Sequence, residues 1–327
     1  MLFFTIRRLL QSLVVLLIAS FAVYWLVAVT ADPLAPYREK NPQPSQAFFD
    51  AKTKEFGLDR PIPERYFTWL GHFLTGNFGN DISGNPVKPQ LFSAMGVTAR
   101  LVIGAIVLAV VLAIVIGVYT AVRAGKAGDY IASFVAYLLI AIPVFWFAAL
   151  LRNGAIAVNQ LLGSNLIPVV NEETAGISLY ESGWPLFQDR LLHLILPTIS
   201  LAALNYAAWS RYQRATMLDV LNSDYLRLAR AKGIPWLTVL RRHGLRNALI
   251  PVTTVVAIGA GALLSGAIVT ETLFAWHGLG EFFLTALNSG DQNKLIAYLI
   301  VSAIFVILFN LIADLLYAVL DPRIRLS

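Results

Sequence analysis

No cysteine occurs among the 327 residues, which excludes disulfides, a thiolate nucleophile and any Cys-ligated metal. Charge is scarce. Only 13% of residues are Asp, Glu, Lys or Arg, against about 25% in a soluble domain. No phosphate-cradling loop of the Gly-x4-Gly-Lys-Ser/Thr kind is present. Gly125-Lys126 is followed by Ala127 and lacks the upstream glycine, so the chain carries no nucleotide-phosphate site of that type. The four histidines, His72, His193, His243 and His277, show no metal-ligand spacing, and there is no Gly-x-Ser-x-Gly elbow. An intramembrane enzyme would need a nucleophile or a metal cluster at bilayer depth, and neither is apparent.

Apolar residues are what the chain has in quantity: 57% of the total, with a mean hydropathy of +0.68. Arg7 and Arg8 precede 23 uncharged residues, 9–31. That exceeds the roughly 20 needed to cross a bilayer and the 7–15 of a signal-peptide core, so an uncleaved first helix is expected. Further spans are expected at 101–122, 130–151, 191–210, 247–270 and 295–313. Pro143 should kink the third, and Arg152 can snorkel to the outer interface, with the helix continuing past it. The fold class is therefore an all-α polytopic membrane protein with six transmembrane helices. Its parts are a first helix (1–31), an extracytoplasmic loop region (32–95), a five-helix membrane domain (96–320) and a tail (321–327).

Lysine and arginine set the orientation. With six spans both termini share a side. That side holds Arg7, Arg8, Arg123, Lys126, eight Lys/Arg from Arg211 to Arg246, and Arg323 and Arg325. The opposite loops are balanced or acidic, with Glu172, Glu173, Glu181 and Asp189 in the second. The basic side is expected to be cytoplasmic, and topology accounts for the net charge of +6 without a nucleic-acid partner.

The chain is organised around the basic stretch 222–251, NSDYLRLARAKGIPWLTVLRRHGLRNALIP, which lies between apolar runs. Ser223 or Asn222 can cap a helix over 224–232, Gly233 suits its C′ position, and Pro235 prevents its continuation. A second helix is expected over 236–243, closed by Gly244. A helix of about nine residues is marginal in water, so this one needs a bilayer surface or a partner protein. A solvated basic loop is the plainer alternative, and the caps at both ends argue against disorder.

In 32–95, Ser45 can cap a helix that places Phe48, Phe49, Lys52 and Phe56 on one side before Gly57. Ile62, Tyr66, Trp69, Leu70, Phe73 and Leu74 recur at helical spacing. That stripe fits a helix in the outer interface or a small core within the loop. In the fifth span Gly259, Gly261, Ala262, Ser265 and Gly266 suit close helix packing more than a substrate path. Glu271 and Asp314 lie near span ends, where a structural hydrogen-bonding role is favoured over proton coupling. A self-sufficient secondary transporter should show an inverted repeat, and no convincing repeat is visible.

DYLRLARAKG followed by RHGLRNALIP resembles the cytoplasmic loop of the membrane subunits of bacterial ABC importers of the peptide/nickel group. FGLDRPIPERYFTWLGHFLTGNFG, RYQRATMLDVL, TETLFAWHGLG and LYAVLDPRIR also match, so the resemblance runs nearly end to end. In the wider importer family the loop reads Glu-Ala-Ala, three residues, then Gly. Here Gly233 matches, Arg227, Leu228 and Ala229 replace the triplet, and His243 stands where a later isoleucine would be. His277 replaces an expected proline, and Gly290 to Lys294 replaces an Arg-Asp-Tyr-Pro-like segment. These two departures are expected to alter docking of a substrate-delivering protein.

The resemblance implies a type I importer permease in the plasma (inner) membrane, taking di- or oligopeptides, or nickel or another small solute. Its implied partners are a second homologous permease, two ATPase subunits that bind ATP and Mg, an extracytoplasmic substrate-binding protein and the bilayer. No cofactor is implied in this chain. ATPase coupling is implied for Asp224, Tyr225, Arg227, Ala229, Arg230, Lys232 and Gly233. His243, Arg246, Asn247 and Pro251 are implied to support the loop.

Overall fold

The computed structural model describes residues 2–39 and 42–320. Residues 321–327, with Arg323 and Arg325, lie outside them. The side chains of Ala262, Ser265, Gly266 and Asp314, for which roles were expected above, also lie outside the description. The described chain is helical, with no strand beyond a single bridge between Asn80 and Pro86. The first half contains α1 (Leu2–Thr30), α2 (Ala35–Arg38), α3 (Gln46–Glu55), α4 (Ile62–Leu74) and α5 (Val87–Val122). There follow α6 (Ala127–Ala141), α7 (Val144–Leu162), α8 (Ile177–Tyr180) and α9 (Trp184–Leu221). The basic stretch forms α10 (Asp224–Ala231), α11 (Trp236–Thr238) and a π-helical segment, Val239–Leu245. The chain ends with α12 (Arg246–Gly266), α13 (Ile268–Phe274), α14 (Leu279–Ser289) and α15 (Gln292–Leu320).

Among the described residues five helices are long and apolar enough to cross a membrane, and α6 with α7 makes a sixth only if the bent pair counts as one span. The expected kink at Pro143 is a break. α6 and α7 diverge by 107°. The cause is local: a residue before proline is pushed out of the helical region, and Ile142 is extended at φ −85°, ψ 128°. Pro143 then caps α7. Arg152 lies within α7, which continues past it to Leu162 as expected. It is half-buried on α7 and donates from Nη1 to the Leu273 carbonyl at 3.2 Å.

α5 and α9 form the central pair and run in the same direction. Gly104 stands beside Thr198 and Leu194, and Gly117, further along, stands against Gln213 and the Ser210 carbonyl. A Cβ on Gly117 would lie 2.8 Å from Gln213 Cβ and from that carbonyl oxygen. The backbone contact cannot be relieved by a rotamer change. Gly117→Ala should therefore destabilise the chain by about 1–3 kcal/mol through overpacking, read as a lower midpoint of thermal unfolding in detergent. An unchanged midpoint would show that the seam is looser than described.

Small residues serve packing elsewhere too, as the sequence suggested. A Cβ on Gly259 would meet the Trp209 ring at 2.8 Å, and Gly261 faces the Val306 backbone of α15. Ser45 caps α3 as expected, accepting from the Phe48 amide at 3.4 Å. The aromatic stripe of α4 does not form a core confined to its own loop. Tyr66, Trp69, Leu70 and Phe73 pack on α1 and α15, and Tyr66 shares a hydrogen bond with Ser20 at 2.8 Å. Leu74 is 76% exposed and outside the stripe.

A polar clasp fastens the loop before α5 to the turn before α15. Asp291, buried, accepts from the Ile82 and Lys294 amides, both at 3.0 Å. Asn293 donates to the Asn80 carbonyl at 2.8 Å, and Lys294 Nζ lies 3.2 Å from Asp81. Within the segment Gly290 to Lys294, where the sequence departs from the family pattern, Asp291, Asn293 and Lys294 bond to this loop, and Gln292 bonds to the Val27 carbonyl and to Arg65. Burial alone would raise the Asp81 carboxyl. Hydrogen bonds from Gln90, the Asn85 amide and Lys294 outweigh it and hold the group at about 2. A carboxyl depressed in the folded state contributes stability above its unfolded value and loses it as pH falls through the folded value. Lys294→Met should accordingly lower thermal stability at pH 7, with the gap to wild type closing between about pH 4 and pH 2. A gap independent of pH would sever it from the Asp81 charge.

Candidate functional site

α10 starts and stops for reasons readable in its residues. Ser223 is extended at the N-cap position, but its side chain makes no cap. The hydroxyl donates back to the Val220 carbonyl instead. The C-terminus is a Schellman motif: Gly233, at φ +75°, donates to Arg230 at 2.9 Å, and Ile234 donates to Ala229 at 3.4 Å. Only a glycine takes that φ without strain.

A single side chain anchors the helix. Leu226 is 1% exposed and lies against Gly244, whose added Cβ would come within 3.7 Å of Leu226 Cδ2 and 3.2 Å of Met217 Cε. Gly244 therefore does not close the second helix, as expected above. The helix passes through it as a π-helical segment and continues into α12. The glycine is there for close approach, with Val239 and Ala248 buried on either side of it in sequence. Such π segments cluster at functional positions.

The rest of α10 faces away. Tyr225 is 43% exposed, Leu228 57%, Trp236 40% and Leu237 54%. Asp224, Arg227, Arg230 and Lys232 are exposed as well, and Ala229 is half-buried. Arg227 bonds the Asn222 carbonyl at 3.0 Å and stands 3.4 Å from Asp224. Arg230 lies over the Trp236 ring, 5.1 Å from its centre, which orders the link between α10 and α11. Among the proposed supports, His243 and Pro251 are half-buried. Arg246 and Asn247 are exposed and make no side-chain hydrogen bond among the described residues. The buried support comes from Leu226, Val239, Gly244 and Ala248; sequence reasoning named Gly244 only as a terminator and gave the three aliphatic residues no supporting role because none carries a polar group.

A second cluster, at the other end of α5, was seen only in part. Glu271, fully buried, accepts from the Thr98 hydroxyl and from the Gly280 amide at 2.7 Å. Thr98 in turn accepts from the Leu279 amide at 2.8 Å. This bears out hydrogen bonding for Glu271 and explains two glycines: a Cβ on Gly278 or Gly280 would strike the Glu271 carboxylate. Between them and α13, Ala275 takes a left-handed φ of +53°, an unusual conformation for a residue with a side chain. His277, at the departure from the family pattern, pairs with Glu281, both exposed. His193 bonds its own helix at the Asp189 carbonyl, 2.9 Å away. Among the described residues no cluster of His, Asp or Glu could hold a metal.

The bundle of helices long and apolar enough to cross a membrane, with a short exposed helix between two of them, has the architecture of an integral membrane protein. The chain belongs to the family described as binding-protein-dependent transport system inner membrane component, matched over residues 113–326. Residues 1–92 match the N-terminal unit described for such components. It is 41% identical over 321 residues to the oligopeptide transport system permease protein OppB of Mycobacterium tuberculosis, with 98% of each chain covered. Bacillus subtilis AppB, also an oligopeptide transport system permease protein, is 37% identical over 329 residues, covering 98% of this chain and 99% of its own. The dipeptide permease DppB of Escherichia coli is 34% identical over 287 residues, 83% of each chain.

Proposed function

We propose that this chain forms one half of a peptide pathway across the plasma membrane and takes its energy by contact through α10. The observation that carries this is the one-point anchoring of α10. Leu226 holds it to the chain, while Tyr225, Leu228, Trp236 and Leu237 present an apolar surface that no other part of the described chain covers. A basic rim surrounds it. In this reading the loop 222–251 and both termini are cytoplasmic, following the lysine and arginine bias. Two ATPase subunits bind ATP and Mg, a second permease completes the pathway, and an external binding protein delivers di- or oligopeptides. The names of the relatives support peptides as the substrate class. Closure of the ATPase pair would displace α10 as a rigid body, and Gly244 and the π segment pass that displacement to α12. Energetically, ATP binding shifts a two-state equilibrium by its difference in affinity for the two forms.

Reconstitution of the full complex tests the reading. Proteoliposomes with all subunits should show peptide-dependent ATP hydrolysis and uptake, and vesicles with this chain alone should show neither. Gradient-driven flux by the isolated chain would contradict the proposal and favour a self-sufficient transporter.

A further inference from the structure

Arg152 is the one charged residue of α7 and the only Lys or Arg between Lys126 and Arg190. It is half-buried, yet it makes one hydrogen bond among the described residues, to the Leu273 carbonyl at 3.2 Å. Its Nε–H is buried without a partner there, and no described carboxylate lies within salt-bridge distance. The acids of the neighbouring elements are committed elsewhere. Glu172 pairs with Arg100 at 2.6 Å and Glu173 with Arg190 at 2.8 Å. Asp189 accepts from the Thr174 hydroxyl at 2.6 Å and its amide at 2.8 Å. Glu271 is held by Thr98 and Gly280, and Glu181, after α8, is exposed and makes no ion pair among the described residues. Taking a guanidinium partly out of water without a counter-charge is costly. A cation with five donors and one acceptor marks a place where an anion can arrive from outside the chain.

A cavity opens further along the same side of α7. Ile156 follows Arg152 by one helical turn and Gln160 by two. Both line a space of about 340 Å³, together with Ser164 and Asn165 of the following loop. That loop is pinned by Asn159, buried, whose carboxamide donates to the Ile167 carbonyl at 2.8 Å and accepts from the Ile167 amide at 3.0 Å. Gln160, Ser164 and Asn165 are exposed, and their side chains make no hydrogen bond among the described residues. Carboxamides and hydroxyls both donate and accept, as a peptide group does, and they bind a backbone whatever its side chains. We propose that α7 receives a short peptide by its C-terminal carboxylate. The carboxylate meets Arg152, and two or three extended residues, at roughly 3.3 Å each, reach along Ile156 to Gln160 and Asn165. This assignment rests on the peptide pathway proposed above and adds to it a residue that recognises the free acid.

The test uses the complete transporter in proteoliposomes, with binding protein and peptide at saturation, and compares uptake of trialanine with that of its C-terminal amide. The unmutated transporter should take up the free acid about tenfold faster, the scale of one charge-assisted hydrogen bond. Arg152→Met should bring the free acid down to the rate of the amide and leave the amide unchanged. Arg152→Lys, which keeps the charge, should retain most of the preference. Gln160→Trp, which fills the cavity, should slow both peptides. Equal losses for acid and amide in Arg152→Met, with a lower unfolding midpoint, would make the residue a structural tie to Leu273 and overturn the proposal. So would an undiminished preference for the acid in that variant, which would place the discrimination in the binding protein. Normal uptake of both peptides by Gln160→Trp would also overturn it. Absence of peptide uptake by the unmutated transporter would overturn the peptide pathway itself, and this assignment with it.

Discussion

Replacing Leu228 and Leu237 together by aspartate should stop ATP-driven uptake while leaving the chain folded in the membrane. Both side chains are more than half exposed, so neither holds the bundle together, and a carboxylate there is solvated. Their expected role is in binding. A central apolar anchor at a protein interface is worth about 2 kcal/mol or more, roughly a thirtyfold loss of association for each and less than additive for the pair. Uptake, and recovery of ATPase subunits with the tagged permease, should fall together. Leu226→Ala makes the contrast. That residue is buried, so truncation should cost about 2–5 kcal/mol of local stability and lower the unfolding midpoint. Normal uptake by the double aspartate variant would remove the apolar face of α10 from the coupling mechanism.

The second large effect is expected at Glu271. Glu271→Ala leaves the Thr98 hydroxyl and the Gly280 amide without their acceptor in a buried site, each worth about 1–3 kcal/mol. Glu271→Gln keeps an acceptor for the amide and should lose clearly less. Gly280→Ala should be damaging to a comparable degree, because its Cβ would lie 2.5 Å from the Ile268 Cα and 2.7 Å from Glu271 Oε2. About 3 kcal/mol is expected, the upper end for overpacking. Thermal unfolding of the three variants ranks them. Glu271→Gln falling as far as Glu271→Ala would mean that the carboxylate is needed as a charge, and the structural role assigned to it would be wrong.

Much of the architecture was legible because membrane spans announce themselves as uncharged runs. The caps of α10 were half legible. Gly233, Pro235 and the N-cap position of Ser223 could be read from conformational preference, while the Ser223 hydroxyl bonds backward to the preceding helix instead of capping α10. Gly244 was misread: a glycine after a short helix suggests a terminator, and only the packing of Leu226 and Met217 shows that it permits close approach. The break at Pro143 was read too mildly, since sequence shows that proline strains a helix but not how far the chain then turns. The Asp81–Asp291–Lys294 clasp was invisible. Its members are about 210 residues apart, and no local pattern joins them. Glu271 was noticed as a carboxylate, yet its partner Thr98 lies 173 positions away. The residues proposed for coupling come from a motif resemblance, whereas the exposed apolar face beside them is seen only in the fold.

The absence of native cysteine makes the most direct test simple. Leu228→Cys places a single thiol on the outward face of α10, with no other cysteine in the chain to compete. In the complete transporter, short bifunctional crosslinkers should join that position to an ATPase subunit, and the yield should change between the ATP-bound and nucleotide-free states. If the thiol reacts freely with water-soluble reagents in the assembled complex and never crosslinks to an ATPase subunit, α10 is not where the energy enters.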